Sequence, residues 1–401
     1  MASYTILIGL IVLIVGCPLA IGSVYIITYS AMEIIVFSLL LIHIWTFKRG
    51  NQPSNTNSES KTKRPELPDN YYRKTLLLSL PLFLFLLIAL FQLVPLPFWL
   101  LQNLSPGTAA MYTKLGMGTG YHSLTLSVYS TTIMVLKYGA YIGIFLLIAT
   151  FEPANAGLRR GRWIKALFVA LFAVGFGEAV YGLYIGLNKS DSILWFMRTV
   201  NIGIVSGTFI NPDHFAGLLN MVLFCSLGLC MTRVGLKKSN WRRKKTVLYS
   251  LTSEQALVFW MILVGMLCMM LGVTFSLSRM GHISMLVGLI FLIVMHSVKK
   301  PKLGSLAIIA IVTAGVLWGT WKGLEPVLEK WRQAENALYD NRFLVWKGTM
   351  RLFSNFQTFG TGLGTYELVF PPYKPIELGS QVYEHAHNDY LEILSETGLV
   401  S

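Results

Sequence analysis

Charge is what this sequence has least of. Asp, Glu, Lys and Arg supply 13% of its 401 residues, against about 25% in ordinary soluble domains, while hydrophobic residues reach 54%. That balance excludes a soluble globule and places the chain in a bilayer. Acidic residues are the scarcer sign, 19 Asp and Glu against 33 Lys and Arg, for a formal charge of +14. A basic balance also marks nucleic-acid-binding chains, so the positions of the cations must decide. They fall in short clusters between apolar runs, as cytoplasmic loops of membrane proteins do, so membrane lipids and no nucleic acid are expected as partners.

Cysteine is equally sparse. Cys17, Cys225, Cys230 and Cys268 all sit inside apolar runs, without zinc-site spacing and outside any polar loop that would form a disulfide. They are expected to be buried small hydrophobes. Ile14-Val-Gly-Cys17 has the look of a lipoprotein processing box, but no positive charge precedes it and the apolar run continues past Pro18, so a cleaved signal is not expected.

Apolar stretches of about 18 or more residues read as transmembrane helices. They number about nine, near 4–28, 29–47, 75–95, 132–151, 163–187, 215–232, 255–278, 280–298 and 304–321, with a tight turn expected near Thr28. The expected architecture is all-α, a polytopic transmembrane helical bundle with a helical extracytoplasmic subdomain near the C-terminus. Its parts are an N-terminal hairpin at 1–47, a basic linker at 48–74, a membrane core at 75–321 and an outward loop at 322–401. Lys48, Arg49, Lys61, Lys63 and Arg64 mark the linker as cytoplasmic. Counting spans onward puts the other dense clusters, at 159–162, 233–245 and 299–302, on the same side. The outward face receives 96–131, 188–214, the junction at Arg279 and 322–401.

Nearly all the motif-like polar residues lie on that face. Ser206-Gly-Thr-Phe-Ile-Asn-Pro-Asp-His-Phe-Ala-Gly217 leads into the sixth span, and Asn211 and His214 can be a turn and helix cap or the polar rim of a site. Ser276-Leu-Ser-Arg-Met-Gly281 puts Arg279 at a span end, where an arginine near hydrocarbon snorkels or finds an anion. A planar five-donor fork suits a phosphate, and Arg342, at the start of a helix capped by Asp340-Asn341, could share it. Phe343, Trp346 and Met350 share a face of that helix and are expected to pack against core or membrane. Gly360-Thr-Gly-Leu-Gly364 follows no strand and reads as a tight loop rather than a nucleotide fingerprint. In Tyr383-Glu-His-Ala-His-Asn-Asp-Tyr-Leu-Glu-Ile-Leu-Ser-Glu-Thr-Gly398, Asn388 can cap a helix with Leu391 and Leu394 inward and Gly398 at its end. His385 and His387 stand at that helix start, where the dipole favours a neutral imidazole fit for a general base. A His/Asp/Glu metal cluster is the competing reading.

Gly207-Thr-Phe-Ile-Asn-Pro-Asp-His-Phe-Ala216, Ser278-Arg279, Arg342 with Trp346, Gly362-Leu-Gly364, and His387-Asn388 with Gly398 after nine more residues occur in an order that resembles the bacterial O-antigen ligase and polysaccharide polymerase family. The family also includes protein O-oligosaccharyltransferases. Its His-Asn element ends in a further glycine, which here is Ser401, and the resemblance implies further spans beyond it, so a piece of a longer chain is expected.

The resemblance implies transfer of a glycan from an undecaprenyl-diphosphate-linked donor to a hydroxyl of lipid A-core, a glycan or a protein. The implied place is the periplasmic face of the bacterial inner membrane, with no nucleotide or essential metal as cofactor. By that resemblance Arg279 and Arg342 bind the diphosphate and His387 takes the acceptor proton, with Asn211, His214, His385 and Asn388 lining the substrate site. A solute transporter is the rival from another class; its site would need ionisable groups near the bilayer midplane, where Lys137, Lys165, Glu178 and His282 are the candidates.

Overall fold

The computed structural model describes residues 2–50, 69–150, 160–197, 202–236, 254–297 and 341–400. Most of the basic linker, the cluster at 237–245, the expected ninth span and the Asp340 cap lie outside the described residues.

Among those residues every long element is an α-helix, and strand is confined to two short antiparallel ladders, Leu96–Pro97 with Tyr121–His122 and Ser192–Ile193 with Phe196–Met197. Five helices are long and apolar enough to cross a membrane, within Ala2–Leu19, Ile26–Thr46, Lys74–Gln92, Val128–Thr150 and Arg162–Leu187. Eighteen residues of helix extend about 27 Å, close to the thickness of a bilayer's hydrocarbon core. Two shorter apolar helices, Trp260–Phe275 and Arg279–Met295, stand where the seventh and eighth spans are expected, and the Pro212–Leu236 helix covers the sixth. Leu76, Leu77 and Leu78 are 66%, 60% and 74% exposed in succession, which suits a helix solvated by lipid and not by water.

The first turn falls earlier than its apolar pattern indicates. The first helix ends at Leu19 and the second starts at Ile26, with a 3-10 turn at Ile21–Ser23 between them. Ile21, Gly22 and Ser23 all have positive φ, which no helix continues through. Thr28 lies inside the second helix, its hydroxyl donating to the Tyr25 carbonyl at 2.7 Å. Three of the four cysteines also depart from expectation: Cys225 is exposed and Cys17 and Cys268 are half-buried, all three as free thiols, while the Cys230 side chain lies outside the described residues. Faces of spanning helices that meet lipid need no protein cover.

The chain divides into two compact units, Met1–Ser3 with Glu33–Gly157 and Arg332–Ser401, and Tyr4–Met32 with Leu158–Trp331. In the second, the Arg160–Leu187, Pro212–Leu236, Glu254–Phe275 and Arg279–Ser297 helices share a core that includes Phe215, Leu219, Leu223, Met266, Met269 and Met285. Gly265 leaves room for the Phe172 ring and Gly288 for the Phe224 ring; a Cβ at either would strike that ring. Small residues facing large ones are how helices approach closely where no hydrophobic force separates protein from solvent.

In the first unit the Asp69–Gln92 and Val128–Thr150 helices meet through Phe85 and Tyr138, edge to face at 5.1 Å. Between them, the Phe98–Leu104 and Pro106–Lys114 helices close over Leu96, Leu101, Ala109 and Leu124. The Asn341–Asn355, Tyr366–Val369 and Asp389–Thr397 helices form a subdomain around Val345, Leu352, Phe356, Tyr366 and Phe370.

Candidate functional site

The Asn341–Asn355 helix turns Val345, Thr349 and Leu352 into the protein, while Phe343 and Met350 of the expected stripe are exposed and take no part in the protein core. The buried face is the one that meets Tyr366, whose hydroxyl lies 2.7 Å from Thr349 Oγ1 and whose ring stacks on Phe370. Trp346 stands between the two faces, half-buried, and its indole Nε1 donates to the Ala386 carbonyl at 3.1 Å. Arg342, four residues earlier, shares the Trp346 side of the helix one turn nearer its start.

Ala386 is held from its other side as well. The Asp389–Thr397 helix begins at Asn388, whose Oδ1 accepts the Leu391 N–H at 3.3 Å, the expected cap. Glu392, in its first turn, reaches back over the chain that enters the helix. Its Oε2 accepts the Ala386 N–H and its Oε1 accepts from His385 Nδ1, both at 2.8 Å. Ala386 is fully buried, while the next residue, His387, is exposed with φ of +53°. Non-glycine residues rarely adopt that conformation, and they persist in it only where the surroundings over-determine the backbone. Here the surroundings are two hydrogen bonds on the preceding residue. Tyr383 meets the His387 ring edge to face, 6.5 Å between centroids.

The carboxylate of Glu392 pushes the His385 imidazole up from its ordinary value, against the smaller opposite effect of burial. The helix dipole is therefore overruled at His385, which is held toward its protonated form. Leu391 and Leu394 are only half-buried, and the buried residues of this helix are Ser395, Glu396 and Thr397. Its last turn faces protein, so the nonpolar pair Leu391 and Leu394 does not define the inner side.

Glu396, 4% exposed, accepts the Gly364 N–H on Oε2 and the Tyr366 N–H on Oε1, each at 2.8 Å. Burial nevertheless pushes its carboxyl up to about 8, more than those two bonds lower it. The loop it grips, Gly360-Thr-Gly-Leu-Gly364, has positive φ at all three glycines, a tight loop as expected. Gln92, at the end of its span, completes the joint: Nε2 donates to the carbonyls of Phe359 and Glu396 at 2.7 and 2.8 Å, and Oε1 accepts the Leu363 N–H at 3.0 Å. A membrane helix, a glycine loop and the helix that starts just after His387 are thus tied together by two polar side chains.

Arg279, Asn211 and His214 belong to the other unit. Asn211 Oδ1 accepts the Asp213 N–H at 2.8 Å at the entry to the Pro212–Leu236 helix, and Asn211 and His214 are both exposed. Arg279, half-buried, is the first residue of its helix; Ser278 caps it, Oγ accepting the Gly281 N–H at 2.9 Å. Leu277, just before, has φ of +54°. Asn220 anchors this turn by donating to the Gly281 carbonyl and Ser284 Oγ at 2.9 and 2.8 Å.

Residues 264–401 match the family model described as O-antigen ligase. That segment is similar to the O-antigen ligase family. The matched segment contains Arg279, Arg342, His385, His387 and Asn388, whereas Asn211 and His214 precede it. The match and the five helices long and apolar enough to cross a membrane together support a multi-pass membrane protein with a segment similar to O-antigen ligases. No curated protein and no solved structure matches the chain. Among the described residues, no group of three or more His, Cys, Asp or Glu side chains converges as a metal site would require.

Position in the sequence had offered no sign of Gln92, Glu392 or Glu396. The side-chain hydrogen bonds of Gln92 and Glu396 all go to backbone, which leaves no second residue type to recognise, and Glu392 pairs with His385 seven residues away, across the helix start.

Proposed function

We propose that this chain transfers a glycan from undecaprenyl diphosphate to an acceptor hydroxyl at the periplasmic face of the inner membrane. The acceptor oxygen attacks the anomeric carbon and the bond from that carbon to the diphosphate oxygen breaks. The diphosphate leaves with the electron pair, the acceptor proton passes to His387, and direct attack inverts the anomeric configuration. Arg279 and Arg342 bind the diphosphate and offset the charge that grows on it, as bidentate guanidinium donors do for phosphate. The acceptor is the hydroxyl of lipid A-core, another glycan or a protein.

The observation that carries this reading is the clamp on Ala386 by Trp346 and Glu392, which presents the exposed His387 in a conformation its backbone would not keep unaided. A base must be positioned before its proton affinity matters. The test is reconstitution of the protein in liposomes with a synthetic undecaprenyl-diphosphate-linked glycan and candidate acceptors. Glycan appearing on an acceptor with stoichiometric release of undecaprenyl diphosphate is the expected result. Donor that stays intact with every acceptor, alongside movement of a free solute across the bilayer, would overturn it in favour of a transporter.

A further inference from the structure

Glu178 lies within the Arg162–Leu187 span, 3% exposed, and the reaction proposed above does not use it. Its Oε2 accepts the Thr208 N–H at 2.8 Å, and its Oε1 lies 2.7 Å from Thr208 Oγ1. That same hydroxyl oxygen lies 2.7 Å from the carbonyl oxygen of Pro18, in the last turn of the Ala2–Leu19 helix. Among the described residues no cationic side chain forms an ion pair with Glu178.

The hydrogens can be counted. A threonine hydroxyl has one proton, and a carbonyl oxygen only accepts. Were Glu178 ionised, that proton could serve either Pro18 or the carboxylate, and the other contact would press two lone pairs together at 2.7 Å inside the bilayer. With a proton on Oε1 every atom is matched. Glu178 donates to Thr208 Oγ1, Thr208 donates to Pro18, and Oε2 accepts the Thr208 N–H. A buried carboxyl without a cationic partner relieves its desolvation in the same way, by becoming neutral.

We infer that Glu178 is a protonated positioning residue, a neutral hydrogen-bonding acid that ties the first helix and its own span to the Ser206–Phe209 turn. That turn runs directly into Asn211 and the helix bearing His214, so the acid sets the backbone of a segment that the transfer reading assigns to the substrate rim. Gly207 fits the same picture: its φ is +56°, and a Cβ there would strike Glu178 Oε2.

The inference makes an uncommon demand of glutamine. The amide of Glu178→Gln can accept the Thr208 N–H on its oxygen and donate from its nitrogen to Thr208 Oγ1, which reproduces every bond of the protonated acid. Thermal melts of the purified full chain in nanodiscs should place E178Q with the parent, and E178A and T208V clearly below it. Infrared spectra at neutral pH should show a protonated carboxylic-acid band in the parent that is missing in E178Q. An E178Q protein that melts as low as E178A, an E178A protein that melts with the parent, or infrared spectra in which E178Q removes a carboxylate band instead would each overturn the inference. Neither readout involves glycan transfer, so failure here is distinct from failure of the proposed function.

Discussion

The indole of Trp346 and the carbonyl of Ala386, forty residues apart in sequence, meet at 3.1 Å. This bond fixes the plane of the peptide that leads into His387. Trp346→Phe keeps most of the ring and removes the donor, leaving a fully buried residue's carbonyl unpaired. Loss of such a bond costs about 1–3 kcal/mol. Turnover of the lipid-linked donor should fall about tenfold or more with donor affinity retained, measured by steady-state transfer and by direct donor binding.

Glu392 serves two partners, His385 Nδ1 and the Ala386 N–H, and the two roles separate by mutation. His385→Ala removes the first partner only, while Glu392→Gln leaves one acceptor oxygen for two donors. E392Q should therefore be the slower enzyme of the two, by about tenfold for one more lost charge-assisted bond. Equal rates would reduce Glu392 to a partner of His385. His385→Ala should also be milder than any change at His387.

Stability should depend on pH through Glu396. Its carboxyl stands at about 8 in the folded protein, above its ordinary unfolded value, so the folded state binds the proton more tightly. The stabilisation is complete below the ordinary carboxyl value and is lost as pH rises through about 8. His385 shifts in the same sense, so the measurement belongs in a His385→Ala background. Melting temperature there should decline from pH 5 to pH 8, and Glu396→Gln should flatten the decline. It should also lower stability overall, because both oxygens of Glu396 face backbone N–H donors and an amide nitrogen cannot accept from either. Glu178 and Glu396 thus answer differently to the same substitution.

Arg279 and Arg342 should each lose donor affinity on change to Lys, since an ammonium cannot reproduce a bidentate guanidinium fork. A fall of about 1–2 kcal/mol in donor binding is expected for each, read by titration with undecaprenyl diphosphate. Unchanged affinity in both variants would leave the arginines as snorkelling residues.

Elements built from local signals were legible in the sequence. Spans announce themselves through long apolar runs, Asn388 through its place before a helix, and the Gly360–Gly364 loop through its glycines. The turn after Leu19 was not legible, because the chain is mostly apolar on both sides of it and the break rests on the positive φ of Ile21, Gly22 and Ser23, with Ser23 Oγ donating to the Cys17 carbonyl. The inner face of the Asp389–Thr397 helix departs from the apolar pattern for a related reason. Short helices in a small polar subdomain bury Thr349, Ser395 and Glu396 as readily as leucine once their hydrogen bonds are met. The joint at Gln92 spans separations of 267 to 304 residues, and no spacing rule reaches that far. His387 and the two arginines were singled out by type and order, but the clamp that holds His387 was visible only in the structure.

The central claim, that His387 takes the acceptor proton in lipid-linked glycan transfer, is tested most directly by single-turnover transfer with His387→Ala, in a preparation shown to be inserted in the membrane and to bind the donor. The rate should fall by about 10² to 10⁴, the usual worth of a positioned base, with donor affinity unchanged. Transfer within a few-fold of the parent at full donor occupancy would contradict the account and remove His387 from the mechanism.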